Sequence, residues 1–253
     1  MPMENNEWPK DARRDRLIGD WFLYQRTGGH RTSTDDLITA WMAASRSFER
    51  VERYLDLGSG IGSVLLMFCH KNRPAYCLGI EAQEQSFMMA TRSVKELPKH
   101  DTEIELICSD FRALDKELQP FDVITGSPPY FPLKNGVLPK DSQRRDCRFE
   151  SRGGVEAYLQ KAESLLSKDG KFFLVFPSNQ EQRLIKALEK SSLNLHGTTV
   201  FALKEGNPTN GLGVYEMALS KVDKSSIDHI VIRDLEGNLT PEYLKVRKEL
   251  GVD

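Results

Sequence analysis

From residue 51 onward the chain alternates between two hydrophobic rhythms. Short apolar runs, RYLDL (53–57), AYCLGI (75–80), EIELICS (103–109), FDVITG (121–126), KFFLVF (171–176), NLHGTTVFAL (194–203) and VYEMALS (214–220), read as strands. Between them, IGSVLLMFCHK, QEQSFMMATRSVKEL, VEAYLQKAESLLSK and NQEQRLIKALEKS place apolar residues at helical spacing. This alternation predicts an α/β fold, a seven-stranded, mostly parallel sheet with helices on both faces. The final two strands are joined by the loop KEGNPTNGLG without a helix, so the last strand is expected to run antiparallel. Gly170, after SLLSKD, is expected to stop a helix.

Residues 1–50 differ in texture. WFLYQRTGGHRTS has strand-like aromatics that run into a Gly-Gly turn. TSTDDLITAWMAAS predicts a helix with Ser33 or Thr34 as N-cap and with Asp35 and Asp36 favourable in its first turn. The expectation is an N-terminal extension with one helix (1–50) packed on a main domain (51–253). Beyond residue 221 come an apolar run, IVI (230–232), and a short helix from Pro241. There is no internal repeat, low-complexity tract or linker that demands a further domain.

Composition narrows the classes. Of 253 residues, 39% are apolar and 28% charged, as in a soluble globular chain. No run approaches the roughly 18 apolar residues of a membrane span, so no membrane contact is expected. The start, MPMENNEWPKDARRDRL, mixes acids and bases, unlike a secretory signal or a transit peptide, and a cytoplasmic protein is expected. Cys69, Cys77, Cys108 and Cys147 lack CxxC spacing; three of them sit in apolar stretches and read as buried free thiols, with no bound metal expected. The net charge of −2 argues against a surface that binds polyanions all over, so nucleic acid would need a local basic patch. A monomer is expected.

The chemistry begins at YLDLGSGIGSVLLM (54–67), a glycine turn between a strand and a helix. Its spacing is Gly58-x-Gly60-x-Gly62 rather than G-x-G-x-x-G, and Asp56 lies in the strand end. A pyrophosphate wants N–H donors and no nearby carboxylate, whereas an ammonium group favours one. The turn therefore fits adenosylmethionine better than a dinucleotide. Glu81 closes the second strand, where an acid can accept from both ribose hydroxyls; alone it reads equally well as a solvated acid opening the next helix. Asp110 follows the third strand, where it can accept from an adenine amine with Phe111 over the ring; alone it reads as a helix cap. All these acids fall at strand ends on the one edge where open α/β sheets bind ligands.

SPPY (127–130) closes the fourth strand beside that crevice. An exocyclic amine on a base is a poor nucleophile because its lone pair is delocalised into the ring. Two acceptors on its N–H bonds favour a pyramidal nitrogen, and Ser127 Oγ with the Pro128 carbonyl can serve, stiffened by Pro128 and Pro129. Tyr130 can stack on an extruded base. A Pro-Pro turn by itself is ordinary strand punctuation.

In this order DLGSGIG, Glu81, Asp110 and SPPY resemble the class I methyltransferases acting on planar amines and amides, whose motif is usually (Asn/Asp/Ser)-Pro-Pro-(Tyr/Phe). YQRTGGHRTSTDDLITAW (24–41), DCRFESRGGVEAYLQKAESLLSKDGKFFLVFP (146–177) and IVIRDLEGNLTPEY (230–243) resemble bacterial enzymes that methylate N6 of the adenosine beside the anticodon of a valine tRNA. The resemblance implies a Rossmann-like fold and S-adenosyl-L-methionine held by Asp56, Gly58, Ser59, Gly60, Gly62, Glu81, Asp110 and Phe111. It implies catalysis at Ser127, Pro128, Pro129 and Tyr130 on an RNA, foremost tRNA. The chain departs from the family at Ser127, where Asn is usual. For RNA contact, the expectation falls on His30, Arg31, Phe131, Arg144, Arg145 and Arg148; Lys134, Lys140 and Arg152 add charge to the same loop, 131–154. Two rivals stay open: a protein glutamine methyltransferase acting on a release factor, whose longer N-terminal helical domain finds little room in fifty residues, and a non-catalytic cofactor- or RNA-binding protein.

Overall fold

The structure is a computed structural model and describes residues 7–114, 117–132, 141–207 and 210–252. In chain order its elements are β1 (Ala12–Ile18), β2 (Trp21–Arg26), α1 (Thr34–Arg46), β3 (Arg53–Leu57), α2 (Ser63–Asn72), β4 (Tyr76–Glu81), α3 (Glu84–Lys95), β5 (Glu103–Cys108), β6 (Phe121–Gly126), α4 (Ser142–Arg148), α5 (Val155–Leu165), β7 (Leu166–Pro177), α6 (Glu181–Leu188), β8 (Asn194–Ala202), β9 (Gly211–Ala218), β10 (Ser226–Val231) and α7 (Pro241–Leu250). β1 and β2 form an antiparallel ribbon of their own; the main sheet has eight strands in the order β10-β8-β9-β7-β6-β3-β4-β5.

Within the main sheet β9 runs against its neighbours, paired antiparallel with both β7 and β8. The expected seven strands are all present. The eighth, β10, pairs parallel with β8 at an edge. SIDHIV escapes the apolar pattern because most of it is exposed, so no face had to be hydrophobic. The same reason hides β1, ARRDRLI, whose first half is open to solvent. Gly170 does not stop a helix. α5 ends at Leu165, and Gly170 lies inside β7, where a Cβ would stand 2.9 Å from the Phe121 carbonyl. The expected 131–154 loop contains α4, and Cys108, at the end of β5, is exposed rather than buried.

Both faces of the sheet are covered, and β7 shows how. Phe172, Leu174 and Phe176 enter one apolar cluster with α5 and α6; Phe173 and Val175 enter the other, with α1, α2 and α7. The period-two alternation of a strand buried on both sides accounts for this split. α1 has Ser33 as its N-cap residue and buries Leu37, Ile38 and Met42. α7 braces it from outside, Trp41 Nε1 donating to Glu249 Oε2 at 2.9 Å. α7 is in turn started by Thr240, whose hydroxyl accepts the Tyr243 N–H at 3.2 Å, with Pro241 in the first turn. Thr240→Ala is expected to lower unfolding free energy by about 1 kcal/mol in urea titrations; an unchanged midpoint would mean that the cap contributes nothing to the brace.

Candidate active site

β3 is paired parallel with β4 on one side and β6 on the other, Leu57 lying opposite Ile80 and opposite Gly126. β4 pairs parallel with β5, Glu81 opposite Cys108. The chain therefore leaves these strands at one edge, and the sheet order reverses between β3 and β6. At that switch point opens a cavity of about 620 Å³, within the range of small-ligand sites.

Its floor is the glycine turn. Gly58, Gly60 and Gly62 all have positive φ, 67°, 56° and 88°. A Cβ on Gly58 would stand 2.4 Å from the Tyr158 hydroxyl, whereas one on Gly60 would meet nothing within 4 Å. Gly60 thus leaves open space above the backbone, and its N–H donates to Glu81 Oε2 at 2.7 Å. Glu81 Oε1 accepts the Gln83 N–H at 2.6 Å. Each oxygen keeps a further lone pair for a ligand hydroxyl.

Asp56 is 3% exposed, and Oδ1 accepts from Thr125 Oγ1 at 2.7 Å. Thr125 Oγ1 in turn lies 2.6 Å from the Tyr54 hydroxyl, which donates to it. Asp56 Oδ2 and Ser59 Oγ are buried without a partner among the described residues. Orphaned oxygens of this kind suit a ligand that brings a cation and donors. Burial pushes Asp56 up to about 7, its Thr125 bond opposing and nearby Asp36 adding. Burial likewise pushes Asp36 up to about 7, with Asp35 beside it adding. Burial raises Glu81 too, against its two backbone bonds.

Ser127, Pro128, Pro129, Tyr130 and Phe131 line the same cavity as Asp56, Gly58, Ser59, Gly60, Glu81, Asp110 and Phe111. His30, Arg31 and Arg148 stand there as well. Gly62 does not line it; buried as the N-cap of α2, it serves the turn's backbone. Arg145 does not line it either, and the side chain of Arg144, with Lys134 and Lys140, lies outside the described residues. The basic patch is weaker than its residue count. Arg145 and Arg152 both pair with Asp146, at 3.2 and 3.1 Å, and Arg31 with Asp15 at 3.4 Å, while Arg148 is exposed and has no ion pair among the described residues. Asp110 is held by Arg112, whose backbone N–H donates at 3.0 Å and whose guanidinium holds it below the usual carboxylate range.

Several lining residues carried no sequence signal of their own. Asp35 and Asp36 looked like first-turn helix acids. Tyr158 sits at core spacing on α5, yet it packs edge-on to Phe111, centroids 4.7 Å apart, at the cavity wall. Cys147 and Gln83 meet there, Gln83 Nε2 donating to Sγ at 3.3 Å. His30 is enclosed nearby; burial opposes its protonation, but Cys147, Asp35 and Glu81 outweigh that and raise its pKa. No group of three or more His, Cys, Asp or Glu is placed to hold a metal among the described residues, and no helix there is long and apolar enough to cross a membrane.

The architecture is the class I methyltransferase fold. It is similar to that of a predicted O-methyltransferase from Agrobacterium tumefaciens (TM-score 0.60, 18% identity, 85% of this chain and 97% of that one). It is also similar to M. jannaschii tRNA m1G37 methyltransferase (0.57, 13%, 84% and 55%) and to M. jannaschii TYW2 in complex with AdoMet (0.55, 16%, 83% and 87%). In sequence the chain is 27% identical over 225 residues to the tRNA1(Val) (adenine(37)-N6)-methyltransferase of Porphyromonas gingivalis, covering 85% of this chain and 86% of that one. To the protein of the same description from Bacteroides thetaiotaomicron it is 32% identical over 161 residues, 62% and 63% of the two chains. No family model matches the chain.

The raised acids make a pH prediction. An Asp near 3.8 when unfolded and near 7 when folded keeps its proton longer in the native state. Its contribution to stability is full below about pH 4 and is lost as pH rises through about 7. In urea titrations Asp56→Asn is expected to flatten the fall in stability between about pH 4 and 7. A slope equal to that of the wild type would mean that Asp56 is already ionised in the folded chain.

Proposed function

We propose that this chain transfers a methyl group from S-adenosylmethionine to the N6 amine of an adenosine in tRNA, and that the adenosine is residue 37 of a valine tRNA. One observation carries the reading: SPPY and the glycine turn with Glu81 open into a single cavity. The descriptions of the sequence relatives supply the substrate and favour adenine over a glutamine side chain.

When bound, S-adenosylmethionine supplies an activated methyl group on a positively charged sulfur. Asp56 and Ser59 offer oxygens to its methionine end, and Glu81 accepts from its ribose hydroxyls. Phe111 and Tyr158, packed edge-on, would form one wall for its adenine, with Asp110 as acceptor at the rim. Ser127 Oγ and the Pro128 carbonyl grip the two N–H bonds of the target amine, and Tyr130 stacks on the target base. The protein's contribution is chiefly alignment of nucleophile and methyl group. No base would be needed before attack: the new C–N bond would form as the sulfur–methyl bond breaks and the sulfur leaves as a neutral thioether, and the nitrogen would shed its surplus proton to solvent afterwards. Arg148 and Arg31 meet the RNA at the mouth, with His30 enclosed in the same cavity. In this reading residues 1–50 are an extension that completes the site of the 51–253 domain.

Incubation with labelled S-adenosylmethionine and total RNA, followed by digestion to nucleosides, is expected to place label in N6-methyladenosine. A valine tRNA transcript carrying G at position 37 should take up none. Label in protein glutamine instead would replace the reading, and no label despite bound cofactor would favour a non-catalytic binder. Base–aromatic stacking is worth about 1–3 kcal/mol, so Tyr130→Ala is expected to lower methylation roughly 10- to 100-fold while cofactor affinity, measured by calorimetry, is retained. Equal loss of both would remove Tyr130 from the base side.

A further inference from the structure

We infer that Asp35, in the first turn of α1, is a positioning residue that sets the plane of the Tyr130 ring for the incoming base. The inference rests on the adenine reading above and adds a residue to it. Tyr130 follows two prolines that restrict the backbone, but its side chain retains its own torsions. Its carbonyl accepts from Gln180 Nε2 at 3.0 Å, and its ring meets Phe176 edge-on with centroids 6.1 Å apart. At the far end of the ring the hydroxyl donates to Asp35 Oδ2 at 2.9 Å. Asp35 is itself fixed. Its other carboxylate oxygen accepts from the Ser33 hydroxyl, and its carbonyl, in α1, accepts from Thr39 Oγ1 at 2.7 Å.

The phenol is thus held at both ends, by its backbone and by a charge-assisted bond to a helix that precedes the core in the chain. Such bonds are stronger and more directional than neutral ones. A ring held in one plane offers a stacking surface whose order need not be created when the base arrives. A carboxylate that merely complemented the α1 dipole would have no reason to aim an oxygen at Tyr130. Both residues line the cavity that Ser127 also lines, so the bond lies within the site that would receive the base.

The test is a double-mutant cycle on a valine tRNA transcript, with kcat and KM measured for RNA and cofactor affinity measured separately by calorimetry. Asp35→Ala and Tyr130→Phe are each expected to lower kcat/KM for RNA about tenfold, and the double variant should be no worse than the poorer single. Asp35→Asn, whose amide oxygen still accepts from the phenol, should recover activity to within about threefold of the wild type. Tyr130→Phe, which keeps the ring and leaves α1 untouched, should bind cofactor as the wild type does; it keeps the inference testable if Asp35→Ala folds poorly. Additive losses in the cycle, Asp35→Asn as poor as Asp35→Ala, or a loss explained wholly by cofactor affinity would each overturn it. If the wild type methylates adenosine and both single variants equal it, positioning fails while the substrate reading stands. If the wild type methylates no adenosine, both fall.

Discussion

β3 is paired parallel on both sides and covered on both faces, so its only exit is through the sheet edge where β4, β5 and β6 also end. Everything chemical in the chain follows from that exit. The backbone must reverse above Leu57 without blocking the space over the strand ends, and the left-handed glycines do so. The same register brings Gly126 level with Leu57, so the turn after β6 opens beside the turn after β3. Two motifs nearly 70 residues apart thereby share one wall, and no side-chain contact between them is required.

The site places acids where burial disfavours their charge. Asp36, Asp56 and Glu81 are buried and each is raised first by desolvation, Asp56 being pushed further by Asp36 and Glu81 and Asp36 by Asp35. Asp56 is coupled through Thr125 to Tyr54, a hydroxyl relay that stiffens it without neutralising it. A fold that only needed a core would fill this position with an apolar residue. Acids kept dry, with spare lone pairs facing a cavity, are suited to a ligand that carries positive charge and hydroxyl donors, and binding would then restore the ionised forms that burial disfavours.

Legibility followed burial. β3, β6 and β7 were readable because strands buried on both faces must be apolar, and the glycine turn and SPPY because their residue types are demanded by backbone geometry. β1 and β10 were not, since exposed edges impose no pattern. Gly170 misled for a related reason: glycine serves close backbone approach in a strand as readily as it stops a helix. Among the site residues, Gly62 belongs to the turn's backbone rather than to the cavity, and two arginines of the 141–154 segment, Arg145 and Arg152, are paired with Asp146. Charge counts along a sequence cannot reveal such pairing. Nor could they reveal that Asp36, at a position where helices commonly carry solvated acids, is 6% exposed.

The least legible link is also the one that joins the two halves of the site. Asp35 and Asp36 are neighbours in one helical turn and therefore point in different directions. Asp36 bonds to the Ser33 N–H at 3.0 Å and to Ser63 at the start of α2, on the side of the glycine turn. Asp35 reaches the Tyr130 hydroxyl on the side of SPPY. α1 is anchored beneath by its own apolar face and outside by α7, so these two carboxylates have little freedom to separate. A shift of α1 would disturb both ends of the cavity together. That rigidity suits a reaction whose barrier depends on the alignment of two bound groups, because positional error between them costs rate even when each binds well. The segment before the core is therefore best understood as part of the site's geometry, placed by the packing of α1 rather than by any motif.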